Sequence, residues 1–310
     1  MARVLVTGGA GFIGSHIVDA LLARGDEVVV FDNLATGRLD NLKRALSHIE
    51  LVEADLRDFD AVRHAMAGVD LVSHQAALGS VPRSLADPRT SNDVNVNGTL
   101  NVLVAAREAG VRRLVNASSS SVYGDTEELP KHEGMPLRPI SPYALSKATA
   151  EEYARVFHGV YGTPTLSLRY FNVFGPRQNP DSQYAAAIPR FMKRLAAGER
   201  PQVYGDGSRS RDFTFVQNVV HANLLALSAP DAALGRSYNI GAGGQVGILD
   251  VIAAVQRAMG TSAQPEFIAK RDGDVLHSRA AIDAAREAFG YVPSVGFEEG
   301  IRLTVEAFRA

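Results

Sequence analysis

The chain has 310 residues, 46% of them hydrophobic, which is enough to bury a large core in one big domain or two intimate ones and excludes general disorder. With 32 basic against 34 acidic residues the formal net charge is −2, so no global excess of charge draws it to nucleic acid or an anionic membrane. Cysteine is absent, which excludes disulfides, thiolate metal sites and thiol nucleophiles; no metal is expected.

In chain order, short β-branched strands are predicted at 4–6, 28–31, 51–52, 71–73, 114–115 and 165–169. Helices are predicted between them at 12–22, 61–66, 100–108 and about 142–161. This alternation marks βαβ units, so the expected fold class is α/β, a Rossmann-type doubly wound parallel sheet. Residues 1–170 are expected to form that domain, with returning segments from 213–240. Residues 171–310 are richer in loop signals such as Gly175-Pro176, Asn179-Pro180 and Gly241-Ala242-Gly243-Gly244, and form a smaller C-terminal α/β region. No run approaches the roughly 18 apolar residues of a spanning helix. The chain passes from Met1 almost at once into a glycine loop, so no signal peptide and a cytoplasmic location are expected.

That loop reads Thr7-Gly8-Gly9-Ala10-Gly11-Phe12-Ile13-Gly14, with glycines at 8, 11 and 14 as a strand turns into a helix. Glycine permits the tight turn and lets backbone N–H groups approach a pyrophosphate at the positive helix end. A bare glycine triplet is only a turn. Here a strand precedes it, Ile13, Ile17 and Leu21 give the following helix an apolar face, and Asp32 ends the second strand at the spacing of a ribose-binding carboxylate. A carboxylate at 32 repels a 2′-phosphate, so NAD is the expected cofactor rather than NADP, and Arg38 is read as a solvated loop residue. Asn33, Asp55, Leu56, Gln75, Ala76 and Ala77 follow later strands and are expected to complete the cofactor wall. Asp55 either accepts from the adenine amino group or caps the helix that starts near Asp58.

Ser118-Ser119-Ser120-Ser121 ends a strand, and Tyr143 and Lys147 lie four apart in a helix, hence on one face. An ammonium so placed can lower the phenol's pKa and reach the cofactor ribose. The phenol can then take a proton from a sugar hydroxyl while hydride leaves the same carbon, with a serine bridging the two oxygens. The alternative is a packed Tyr143 beside a solvated Lys147.

With these residues the sequence resembles the extended short-chain dehydrogenase/reductase family, within it the UDP-hexose 4-epimerases, and most of all their UDP-N-acetylglucosamine subgroup. The resemblance covers nearly the whole chain and includes Asp32-Asn33-Leu34, Ser118 to Gly124, Tyr143 with Lys147, Arg169 to Gly175, Gly205 to Phe213 and Arg271 to Asp274. It implies Ser119, Tyr143 and Lys147 as catalytic residues, with Ser118 and Ser120 as sugar contacts or supports. It also implies a UDP-sugar substrate whose diphosphate meets Asn172, Arg211 and Arg271, with Asp274 near the uridine ribose. Ala187, Ile188, Val203 and Tyr204 would surround uracil. Without the resemblance, Arg211 and Arg271 read as ordinary salt-bridge residues.

The stretch His74 to Ser84, Ser80 included, is most like enzymes that accept N-acetylated UDP-hexoses, and Ser278 falls where epimerases restricted to glucose and galactose carry tyrosine. Ser278 otherwise serves as a local backbone partner or helix cap. UDP-glucose/UDP-galactose ranks second and UDP-glucuronate third, since Asn172 and Asn179 stand where glucuronate epimerases tend to have threonine and arginine. A nucleotide-sugar 4,6-dehydratase would show Thr-Asp-Glu where Ser119-Ser120-Ser121 stand; a sugar-nucleotide decarboxylase fits the fold without a positive mark. A catalytically silent NAD sensor would not need Ser119, Tyr143 and Lys147. The resemblance further implies a homodimer built on the helices around 99–108 and 143–161, with Val102, Val104, Ala105, Tyr153 and Phe157 either at that surface or on their own sheet.

Overall fold

The structure, a computed structural model, describes residues 1–180, 186–269 and 275–309. Its central sheet holds β1 (Arg3–Thr7), β2 (Glu27–Asp32), β3 (Ile49–Glu53), β4 (Leu71–His74), β5 (Arg113–Ser119), β6 (Thr165–Tyr170) and the strand Ser237–Ile240. Their order across the sheet is Ser237–Ile240, β6, β5, β4, β1, β2, β3, and every pairing is parallel. The order reverses between β1 and β4, which opens a crevice at the carboxyl ends of the strands. Every predicted strand and helix is present. β5 runs longer than predicted because ladder pairing recruits Asn116 and Ser118, polar residues that carry no apolar period.

The near-continuous apolar strands are explained by burial on both faces. Val4, Val6, Val28 and Val30 pack on Ile17 and Leu21 of helix Phe12–Ala23 and on Val219 and Ala222 of helix Val216–Leu227. Leu5, Val29, Phe31 and Val72 point the other way, onto Val102 and Leu103 of helix Gly98–Glu108 and Ala154 and Phe157 of helix Pro142–Tyr161. Residues 216–227 and 237–240 thus return to the sheet from beyond the smaller region's first elements. That region has its own core of Phe174, Phe191, Phe213, Phe215, Val251 and Ile301, against which Phe12 and Ile13 also pack. The contact seats it against the glycine loop.

Of the side chains considered for a dimer surface, Val102, Ala105 and Phe157 are buried in the sheet's core, and Val104 and Tyr153 pack partly against it. The apolar groups that helix Pro142–Tyr161 turns outward are Leu145, Val156, Val160 and Tyr161.

Candidate active site

A cavity of about 1140 Å³ runs along the crevice and is bordered by the glycine loop, the ends of β2 to β6 and the smaller region. At its cofactor end the loop is shaped by contacts that only glycine tolerates. A Cβ on Gly14 would lie 2.1 Å from the Gly8 carbonyl oxygen, and Gly8, at φ +68°, would drive one to 2.7 Å from the Ala76 backbone. Gly11, the N-cap of helix Phe12–Ala23, has no side chain to cap the first turn, so its amides are left for an anion on the cavity side.

Asp32 accepts from the Ala10 and Leu34 amides, both at 2.9 Å, and burial raises its carboxyl above the usual range against these bonds. It fastens the loop and still borders the cavity with Asn33, Asp55, Leu56, Gln75, Ala76 and Ala77. Asp55 does not cap the next helix; Asp58 does, accepting from the Ala61 amide at 3.1 Å. The Arg57 side chain and the Asn33 amide instead hold the Asp55 carboxylate, Arg57 most strongly, and keep its pKa well below the ordinary value. The loop, the bare helix terminus and Asp32 fit a dinucleotide.

Ser119, Tyr143 and Lys147, the side chains expected to be catalytic, all border the cavity. Ser141 caps helix Pro142–Tyr161 by accepting from the Ala144 amide at 3.2 Å, and Pro142 suits the first turn, so Tyr143 sits within the firmly set first turn. Its phenol is hydrogen-bonded to Ser119, whose Oγ also accepts from the Ser121 hydroxyl at 2.9 Å. Lys147 donates from Nζ to the Ala117 carbonyl at 2.8 Å, which ties it to the strand that ends in Ser119. Burial raises the Tyr143 phenol while the Ser119 bond opposes it, and burial lowers Lys147 to about 8. The expected lowering of the phenol is therefore overridden by burial: both groups have lost the water that would stabilise their charges. Below them, His74 sits between the Thr7 and Thr99 hydroxyls at 2.7 and 3.0 Å, held neutral by burial, which takes its pKa to about 3.

A buried ion pair supports the same strand. Glu151 receives the Arg169 guanidinium and the Ser118 hydroxyl, the latter at 2.8 Å, and Arg169 also donates to the Tyr123 oxygen at 2.8 Å. Ser118 thus gives its hydroxyl to Glu151 although it borders the cavity together with Ser120 and Ser80. Alternation along β5 turns Ser118 to the face opposite that of its neighbour Ser119.

At the far end, Asn172 takes φ +28°, a strained conformation for a side-chain-bearing residue, and its amide donates to the Asp212 carbonyl at 3.2 Å and to Ser278 Oγ at 3.1 Å. Arg211 reaches the carbonyls of Leu276, at 2.7 Å, and Val275, so it pins the segment that carries Ser278. Asn172, Asn179, Arg211 and Ser278 all border the cavity. The four residues expected around uracil do not border this cavity. Ile188 and Val203 fill the smaller region's core, and Tyr204 lies under the Arg190 guanidinium at 4.9 Å; Ala186, just before Ala187, is the cavity-lining residue of this stretch. Arg271 and Asp274 lie outside the described residues. Lys131 also borders the cavity. Nothing in the sequence singles it out, because its loop has neither periodicity nor a motif.

A family model described as the NAD-dependent epimerase/dehydratase family matches residues 4–241. A protein of Mycolicibacterium smegmatis named UDP-glucose 4-epimerase is 41% identical over 99% of this chain and 98% of its own length. The UDP-N-acetylglucosamine 4-epimerase of Methanobrevibacter ruminantium, solved with UDP-N-acetylmuramic acid, superposes with a TM-score of 0.94 at 37% identity, covering 99% of this chain and 98% of its own. The Thermus thermophilus UDP-glucose 4-epimerase solved with NAD gives a TM-score of 0.91 at 42% identity, with 99% of both chains covered. The chain, with a glycine loop and a carboxylate built for NAD, therefore belongs to the NAD-dependent epimerase/dehydratase family.

Proposed function

We propose that this protein is an isomerase that inverts C4 of UDP-hexoses, with UDP-GlcNAc and UDP-GalNAc as its preferred pair. The observation that carries this reading is the meeting of Tyr143, Ser119 and Lys147 in one cavity, between the dinucleotide loop and an arm lined by Asn172, Arg211 and Ser278. Tyr143 takes the proton from the C4 hydroxyl at its phenolic oxygen, Ser119 bridges the two oxygens, and Lys147 anchors the phenol's helix face to β5. NAD, which the glycine loop from Gly8 to Gly14 and Asp32 would hold, would supply the hydride acceptor and donor for C4. Between the two transfers the 4-keto sugar turns over while its UDP stays anchored, so the reaction needs no external oxidant, and binding energy on the nucleotide retains the intermediate. The named activities of the three relatives support this reading. Among the described residues, the carboxylates on the cavity wall are Asp32 and Asp55, both at the cofactor end. A dehydratase would need an acid at the sugar, where Ser120 and Ser121 stand.

The choice of N-acetylated sugar is supported by Ser278, a small residue whose hydroxyl bonds to Asn172 rather than to a local backbone group or a helix cap. Ser278→Tyr places a ring where the acetamido group must pass and displaces the Asn172 amide. We expect the kcat/KM ratio of UDP-GlcNAc to UDP-glucose, read by NMR at C4, to fall roughly 10-fold or more. An unchanged ratio in folded, NAD-loaded protein would leave the gate without support. A cytoplasmic setting belongs to the same reading; among the described residues no helix is long and apolar enough to cross a membrane. So does a homodimer, now resting on the outward Leu145, Val156 and Val160. Light scattering should give twice the chain mass at micromolar concentration, and a monomer would count against it.

A further inference from the structure

Lys131 is 1% exposed, yet it borders the cavity that holds Tyr143 and Ser278. Its position is imposed by its backbone: the amide donates to the Arg279 carbonyl at 2.8 Å, and its carbonyl accepts from the Ala281 amide at 2.9 Å, immediately beyond Ser278. The amine donates to the Gly124 carbonyl at 2.8 Å, at the end of the turn that begins after Ser119. Among the described residues it makes no ion pair and no other hydrogen bond, so two of an ammonium's three N–H groups are left over. Burial lowers its pKa to about 8; Asp125 opposes that shift and Arg211 adds to it. A buried cation without a carboxylate is costly unless a ligand completes its hydrogen bonds.

We propose that Lys131 is a specificity-determining residue that donates to a carbonyl or carboxylate oxygen on the hexose substituent, such as an acetamido or uronate group. The inference rests on the UDP-hexose reading and deepens it. A plain hexose offers only hydroxyls there, whereas a substituent with an sp² oxygen takes the spare donors of Lys131. The neighbouring Arg211 is already committed to backbone carbonyls, and Ser278 to Asn172.

The test is a panel of UDP-glucose, UDP-GlcNAc and UDP-glucuronate turned over by the wild-type holoenzyme and by Lys131→Met, with inhibition by UDP measured alongside. The expected result is a drop of about 10- to 100-fold, relative to UDP-glucose, in kcat/KM for the sugar whose oxygen is read, with UDP inhibition held. Whether UDP-GlcNAc or UDP-glucuronate drops identifies the group. An equal drop for all three sugars, or weaker UDP inhibition, assigns Lys131 to the diphosphate or to structure and overturns the inference, as does an unchanged ratio. Should the methionine protein fail to fold, ¹⁵N-lysine NMR of the wild type decides: the Lys131 amine must respond to a substituted UDP-sugar more than to UDP-glucose, and an equal response overturns the proposal. No wild-type turnover of any of the three sugars would sink the UDP-hexose reading itself, and this inference with it.

Discussion

Tyr143→Phe should lower C4 epimerisation by roughly 10²- to 10⁴-fold while the protein keeps its NAD and still binds UDP. The substitution removes one oxygen and leaves the ring in place, so the capped helix start at Ser141 and the packing around the cavity survive. What is lost is the proton acceptor beside Ser119, and its described neighbours are engaged elsewhere: Lys147 is turned to the Ala117 carbonyl and Ser121 to Ser119. Because burial raises the phenol, its base form is the minor one near neutral pH, and that form grows as pH rises. Wild-type kcat/KM should therefore climb along its acid limb, and the phenylalanine protein should lose that limb. Near-wild-type turnover in folded, NAD-loaded Tyr143→Phe would remove the tyrosine from the chemistry.

Arg169→Met should destabilise the fold by about 3–5 kcal/mol, because it leaves the Glu151 carboxylate buried without its partner. The two side chains are 6% and 2% exposed, so solvent screens the pair very little. The guanidinium donates from Nε to both Glu151 oxygens at 3.0 and 3.1 Å and from Nη1 to Tyr123, and none of these bonds passes to water when it is cut. Chemical denaturation of the holoenzyme measures the loss. Adding Glu151→Leu should recover part of it, since removing both charges costs less than stranding one. A loss under about 1 kcal/mol for the single variant would mean that Glu151 finds another partner or a proton. The pair also concerns function. Glu151 lies two turns along the helix face of Tyr143 and Lys147, and Ser118, its other donor, adjoins Ser119.

Much of the site was legible because it is local. The glycine spacing before helix Phe12–Ala23, the acid ending β2 and the four-residue step from Tyr143 to Lys147 are each set by one turn or one helix, whose geometry the backbone dictates. The strand pattern of the sheet was legible for the same reason: a strand buried on both faces is apolar throughout, whatever its partners. Decisions that depend on distant segments were not written in any local pattern. Ser278 meets Asn172 across 106 positions, Lys131 borders the cavity only because its backbone pairs with 279–281, and the Ser118 hydroxyl faces Glu151 because β5 packs beneath that helix. Ile188 and Val203 turn their side chains inward because a small region must fill its own core, and apolar side chains go where the most surface is removed from water. The sequence by itself determined the cofactor loop, the helix of Tyr143 and Lys147 and the sheet, through short-range backbone geometry and apolar period. Only the tertiary structure decided which polar groups face the substrate, because that depends on how crossovers and returning segments bring remote donors and acceptors together, and on which of them the protein's own hydrogen bonds have already taken.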